Sequence, residues 1–164
     1  MIIVGIDPGT ATTGWGAIEV NGKGLLLRGF GLIETDKELL AQERLFGIYT
    51  GMNTLLREMK PDVLAIEKLF FATNAKTAIR VGQAQGVMLL SAATAKVPVF
   101  EYAPGTIKKA IAGDGKADKK LIQASVRKVL GGKVRSGKHK KTHFDNSADA
   151  LAVALCHIYI ERLV

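Results

Sequence analysis

Hydrophobic positions fall in short runs at the start of the chain and at helical spacing further on. Residues 2–6 (Ile-Ile-Val-Gly-Ile) are nearly all apolar, the pattern of a central strand buried on both faces. Asp7-Pro8-Gly9-Thr10 breaks the run with two backbone punctuators. Residues 13–20 and 25–33 read as two more strands, and Asn21-Gly22-Lys23-Gly24 between them is a hairpin signal. The chain therefore opens with a three-stranded antiparallel meander.

Helical spacing takes over at residues 38–59, where Leu39, Leu40, Leu45, Ile48, Met52, Leu55 and Leu56 recur until Lys60-Pro61 ends the helix. Residues 63–66 predict a fourth strand closing on Glu67, 74–95 a second long helix, and 97–102 a fifth strand. Pro104 opens a short helix to residue 112. Another helix is expected over 117–130, then a basic, glycine-containing loop over 131–142. The last helix, 146–163, carries a face of small apolar residues (Ala148, Leu151, Ala152, Leu155). No repeat or boundary splits the 164 residues. The expectation is a single domain over 1–164 of α/β class, with a five-stranded mixed sheet, its first three strands antiparallel, flanked by helices.

Composition narrows the setting. Hydrophobic residues make up 48% and charged residues 23%, ordinary for a folded domain. One cysteine, Cys156, excludes an internal disulfide and a cysteine-based zinc site, which suits a reducing compartment. No apolar run approaches the roughly 20 residues that cross a bilayer. The first residues enter a strand at once, without the features of a signal peptide. The expected location is cytoplasmic.

The net charge of +8 is unevenly placed. Residues 108–141 hold twelve Lys or Arg against Asp114 and Asp118, a net +10; the other eleven basic and thirteen acidic residues give −2. Such segregation fits a surface that meets a polyanion, although a solvated lysine-rich face would look similar.

The acids carry the chemistry. Asp7 and Glu67 each follow a buried strand, where a charge is costly unless it is paired or ligates a metal. If the first and fourth strands are neighbours, both carboxylates share one edge. Asp145 and Asp149, spaced i and i+4, occupy one face at the start of the last helix. Three or four converging acids form a hard oxygen site suited to Mg²⁺ or Mn²⁺, and a two-metal site of that kind cleaves phosphodiesters. Each acid also has a plainer role. Asp7 would cap a turn, Asp145 and Asp149 would complement a helix dipole, and Glu67 would pair with Lys68 or Arg80.

Taken in order, Gly5-Ile6-Asp7-Pro8-Gly9, Ala65-Ile66-Glu67-Lys68-Leu69-Phe70, Asn74-Ala75, Gly82-Gln83-Ala84, Phe100-Glu101-Tyr102 and Ala148-Asp149-Ala150-Leu151-Ala152 resemble the RuvC family of Holliday-junction resolvases over nearly the whole chain. The resemblance implies a ribonuclease-H-like fold and a homodimer that nicks two opposed strands of a four-way DNA junction symmetrically, in recombination and repair. It implies Mg²⁺ or Mn²⁺, two per active site, 5′-phosphate products, preference for a short T-rich sequence, and action with a RuvA–RuvB branch-migration complex. By position, Asp7, Glu67 and Asp149 match three of the four family acids. The fourth place holds Asn146, whose amide offers an oxygen but neither charge nor a base. Three explanations stay open: Asp145 serves as the fourth ligand, His143 assists as acid or base, or Asn146 marks a lost acid and a catalytically weakened junction-binding protein.

The same resemblance makes Phe70 a wedge at the junction centre, with Phe71 beside it as a second stacking surface. Lys108 and Lys119 match lysines near the scissile backbone; Lys109, Lys116 and Lys120 thicken that patch, and Lys76 and Arg80 on the second helix are further candidates. Where the family often has an arginine, this chain has Gln85, which implies one missing positive contact. The Asp7–Thr10 turn also resembles the first loop of actin-like ATPases, but the chain has no second phosphate loop and is too short for two lobes.

Overall fold

The computed structural model describes residues 1–69, 75–131 and 141–164, with side chains described for all of these except 75–76 and 141–146. The order is β1 (Ile2–Asp7), β2 (Thr12–Asn21), β3 (Gly24–Glu34), α1 (Ala41–Met59), β4 (Val63–Glu67), α2 (Ala75–Thr94), β5 (Val99–Tyr102), α3 (Pro104–Ala112), α4 (Lys119–Leu130) and α5 (Lys141–Ile160). Among the described residues, five strands form one sheet in the order β3-β2-β1-β4-β5. β1, β2 and β3 pair antiparallel, while β4 runs parallel to β1, and β5 to β4. The mixed α/β architecture is the expected one.

Period-two alternation sorts the strands between two cores. Val4, Ile6, Leu64 and Ile66 turn toward α1 and α2, meeting Ile48, Met52 and Met88. Ile3, Val63 and Ala65 turn the other way, into a core shared with α3, α4 and α5. Nearly every side chain of α5 from Ser147 to Ile158 is buried, because the sheet lies on one side and α3 and α4 cover the other. In that core the Tyr102 hydroxyl and His157 Nδ1 stand 2.7 Å apart, so each satisfies the other.

Two glycines set how closely α5 lies on the sheet. A Cβ at Gly5 would sit 2.1 Å from the Ala150 carbonyl oxygen and 2.6 Å from the Ala154 nitrogen. One at Gly16 would sit 2.5 Å from Leu151. Backbone therefore rests on backbone, and α5 crosses β1 at Gly5, two residues before Asp7.

Several boundaries differ from expectation. The first long helix begins at Ala41, since Glu43 accepts the Leu40 amide at 2.8 Å; Leu39 and Leu40 lie outside it, 45% and 61% exposed. β5 starts at Val99 rather than 97, because Pro98 has no N–H for the ladder and contributes only its carbonyl, which accepts from Leu64 N at 3.0 Å. The last helix starts at Lys141, five residues earlier than its small-residue face indicated, and ends at Ile160, where the chain turns with Arg162 at φ 51°. Asp149 consequently lies in the third turn, too far along for a helix-dipole role.

Candidate metal and nucleic-acid site

Asp7 and Glu67 are the last residues of two neighbouring parallel strands, one step beyond the pair Ile6–Ile66. Alternation puts them on the same face as Ile3, Gly5, Val63 and Ala65, the face that α5 covers. The close seat of α5 on Gly5 then brings Asp149 to the same place. The three carboxylates line a cleft of about 280 Å³, walled by Pro104, Ile107 and Lys108 of α3, Lys119 and Ile122 of α4, and Ala152 of α5.

The electrostatics follow from that enclosure. Burial, then the negative charges of Glu67 and Asp149, push Asp7 up to about 7, against a smaller opposing pull from Lys119. Burial and Asp149 likewise raise Glu67, opposed by Lys108. Lys119 Nζ is 2.8 Å from Asp149 Oδ2, a partly exposed ion pair across the mouth of the cleft. Excess negative charge is therefore held in a partly desolvated pocket, with Lys119 and Lys108 as local counterions.

The donor set fits a hard divalent cation. Among the described residues, no three His, Cys, Asp or Glu side chains are drawn together closely enough to hold an ion unaided. Mg²⁺ commonly takes one or two carboxylates and fills its remaining positions with water and substrate phosphate, so a cleft of separated acids beside lysines matches a site completed by a phosphodiester.

The other candidates separate. Lys108 and Lys119 line the cleft, whereas Lys109, Lys116 and Lys120 are exposed around it. Asp114 and Asp118, the two acids within the basic segment, are structural. Asp114 accepts the Lys116 amide at 2.9 Å, and Asp118 caps α4 by accepting the Leu121 amide at 2.8 Å. Arg80 lines a different recess, on the α1–α2 side. Gln85 is buried and donates from Nε2 to Glu101 Oε1 at 2.7 Å, so its position faces β5 and not the cleft. Phe70 and Phe71, and nearly all of the loop expected over 131–142, lie outside the described residues, as do the side chains of Lys76, His143, Asp145 and Asn146. Sequence reasoning missed the apolar walls Ile107 and Ile122, which carry no signal beyond ordinary helix amphipathicity.

The family model for crossover junction endodeoxyribonuclease RuvC matches residues 3–157. A RuvC from Chloroflexus aggregans is 45% identical over 159 residues, covering 97% of this chain and 93% of its own. The solved Thermus thermophilus RuvC superposes with a TM-score of 0.84 at 34% identity, covering 99% of this chain and 96% of that one. The same Thermus protein, solved in complex with a Holliday junction substrate, gives 0.84 at 30% identity over the same shares. Together with a ribonuclease-H-like sheet that ends in an acid cleft beside lysines, these matches establish that the chain belongs to the RuvC family of crossover junction endodeoxyribonucleases.

Proposed function

We propose that this chain resolves four-way DNA junctions by divalent-metal-dependent hydrolysis of phosphodiester bonds in two opposed strands. The observation that carries the reading is the meeting of Asp7, Glu67 and Asp149, from three elements, with Lys108 and Lys119 in one cleft of a RuvC-family chain. Asp7, Glu67 and Asp149 hold the cation, which we assign as Mg²⁺ or Mn²⁺, two ions per site. A bound divalent ion supplies Lewis-acid polarisation of the phosphate and a nucleophilic water at neutral pH.

The remaining steps belong to the protein. At neutral pH Asp7 is near its midpoint, so holding a cation would require it to give up the proton it carries part of the time. Lys119, paired with Asp149 in the free protein, has two competing anions once DNA enters. Moving toward a backbone phosphate orients the strand and leaves Asp149 for metal ligation. Lys108, beside Glu67, positions the same strand, and Lys109, Lys116 and Lys120 add contacts that do not read sequence. Phe70 and Phe71 are assigned to stacking at the junction, with Lys76 as a further phosphate contact.

The fourth ligand position remains Asn146, with Asp145 and His143 close in sequence on α5. An amide oxygen can ligate without adding charge, so replacing it by Asp should raise the cleavage rate. Symmetric cutting needs two sites, and we assign the second to another copy. Along α2, Ile79 and Leu90 are 64% and 59% exposed, and a Cβ at Gly82 or Gly86 would meet nothing within 4 Å. These residues form one stripe open to a second α2. The whole chain acts as one domain, and a RuvA–RuvB motor is the expected partner. No helix among the described residues is long and apolar enough to cross a membrane; a cytoplasmic site of action is part of this reading.

An end-labelled junction tests the metal role. Nicks that form with Mg²⁺ or Mn²⁺ and stop with chelator support it, whereas nicks that persist in chelator would show that the acids act without a metal.

A further inference from the structure

The C-terminal ends of β1 and β4 open on both faces of the sheet. On the α3–α5 face lies the acid cleft. On the α1–α2 face lies a second recess of about 150 Å³, with the polar side chains of Thr10, Lys37, Arg44, Arg80 and Gln83 set around a mainly apolar lining. Three cations and no carboxylate line it. Of the three, only Arg80 was a candidate from the sequence, and there without a site.

The recess is tied mechanically to the acids. Thr35 Oγ1 donates to the Thr10 carbonyl at 2.5 Å and accepts from Arg44 Nε at 3.1 Å. Arg44 is thereby tied, through Thr35, to the turn that follows Asp7. A guanidinium, with its planar fork of N–H donors, is the side chain best matched to the two oxygens of a phosphate. The recess and an intermediate depression also border the same segments, the turn after Asp7 and the first half of α2. The depression, lined by Asp7, Pro8, Glu67, Lys68 and Val81, shares Asp7 and Glu67 with the acid cleft, and Val81 adjoins Arg80.

We infer that Lys37, Arg44 and Arg80 form a phosphate-binding pocket that holds the DNA backbone on the opposite side of the cut from Lys108 and Lys119. The scissile strand is then gripped at both ends, and the acids see only the phosphodiester between the two grips. This rests on the nuclease reading above. The chemistry points to a DNA phosphate over a free anion, because the recess flanks, at the turn after Asp7, the cleft read above as the site of DNA cleavage.

The test is fluorescence anisotropy of a labelled four-way junction and a linear duplex of the same arm sequence, in chelator, across a range of salt. Wild type is compared with Lys37→Gln/Arg80→Gln, both surface positions, and with the triple variant that adds Arg44→Gln. Each lost phosphate contact lowers the slope of log affinity against log salt by about 0.9. Binding weakened about tenfold or more, with a slope shallower by at least one contact and an unchanged melting temperature for the double variant, supports the pocket. Unchanged affinity and slope in both variants overturn it. Wild type that binds duplex as tightly as junction sinks the junction reading alone, since the duplex slopes still report on the pocket. Wild type that binds neither DNA sinks both.

Discussion

Asp7 trades stability for function. Its folded-state value, about 7, lies above the 3.8 expected of an unfolded aspartate. The folded protein therefore binds this proton more tightly, and the contribution is complete below about pH 4 and lost as pH rises to 7. At about 1.4 kcal/mol for each pH unit of that window, ionisation of Asp7 costs the metal-free protein on the order of 4 kcal/mol. Asp7→Asn removes that cost. We predict that, without metal at pH 8, the variant melts several degrees above wild type by calorimetry, while junction cutting is lost and junction binding persists. A melting point below wild type would mean that the carboxylate stabilises the fold. Lys119→Gln, lacking both the Asp149 pair and a phosphate contact, should cut more slowly and bind with a shallower salt slope, by about one contact. An unchanged slope would place the lysine away from DNA.

Among the elements, α5 is the one whose placement decides the site. Gly5→Ala would press a methyl group into the α5 backbone, which cannot yield as a flexible side chain would. Overpacking typically costs about 1–3 kcal/mol, and against two backbones the effect should fall at the upper end or beyond. Chemical denaturation should show that loss, with metal binding weakened in parallel because Asp149 moves with the helix. A loss of stability that leaves metal affinity intact would uncouple the two. Much of this was legible beforehand. The apolar runs ending in Asp7 and Glu67, the hairpin and Pro104 predict elements close to those observed, since each signal is local. Other features depend on contacts between distant segments. Leu39 and Leu40 kept helical spacing, yet Glu43 caps the helix after them. The early start of α5 hid in a polar stretch whose hydrophobicity gives no period. The Lys119–Asp149 pair and the Lys37–Arg44–Arg80 recess join segments separated by thirty residues or more, beyond the reach of any local pattern.

At the scale of the whole molecule, charge and symmetry govern what the protein can do. Residues 108–141 carry a net +10 against −2 for the rest of the chain, so binding should be strongly salt-dependent. The α2 stripe gives an assembly prediction: Ile79→Glu/Leu90→Glu should sediment as a monomer where wild type sediments as a dimer, and should nick single strands without pairing the cuts. A variant that remains dimeric would place the interface elsewhere. The most direct test of the account is cleavage of a labelled four-way junction by the unmodified chain, in Mg²⁺ and in Mn²⁺, beside linear duplex of the same sequence. The account predicts paired, symmetric nicks in opposed strands of the junction, with the duplex left intact. Equal cutting of both substrates, or tight junction binding with no nicks in either metal, would contradict it.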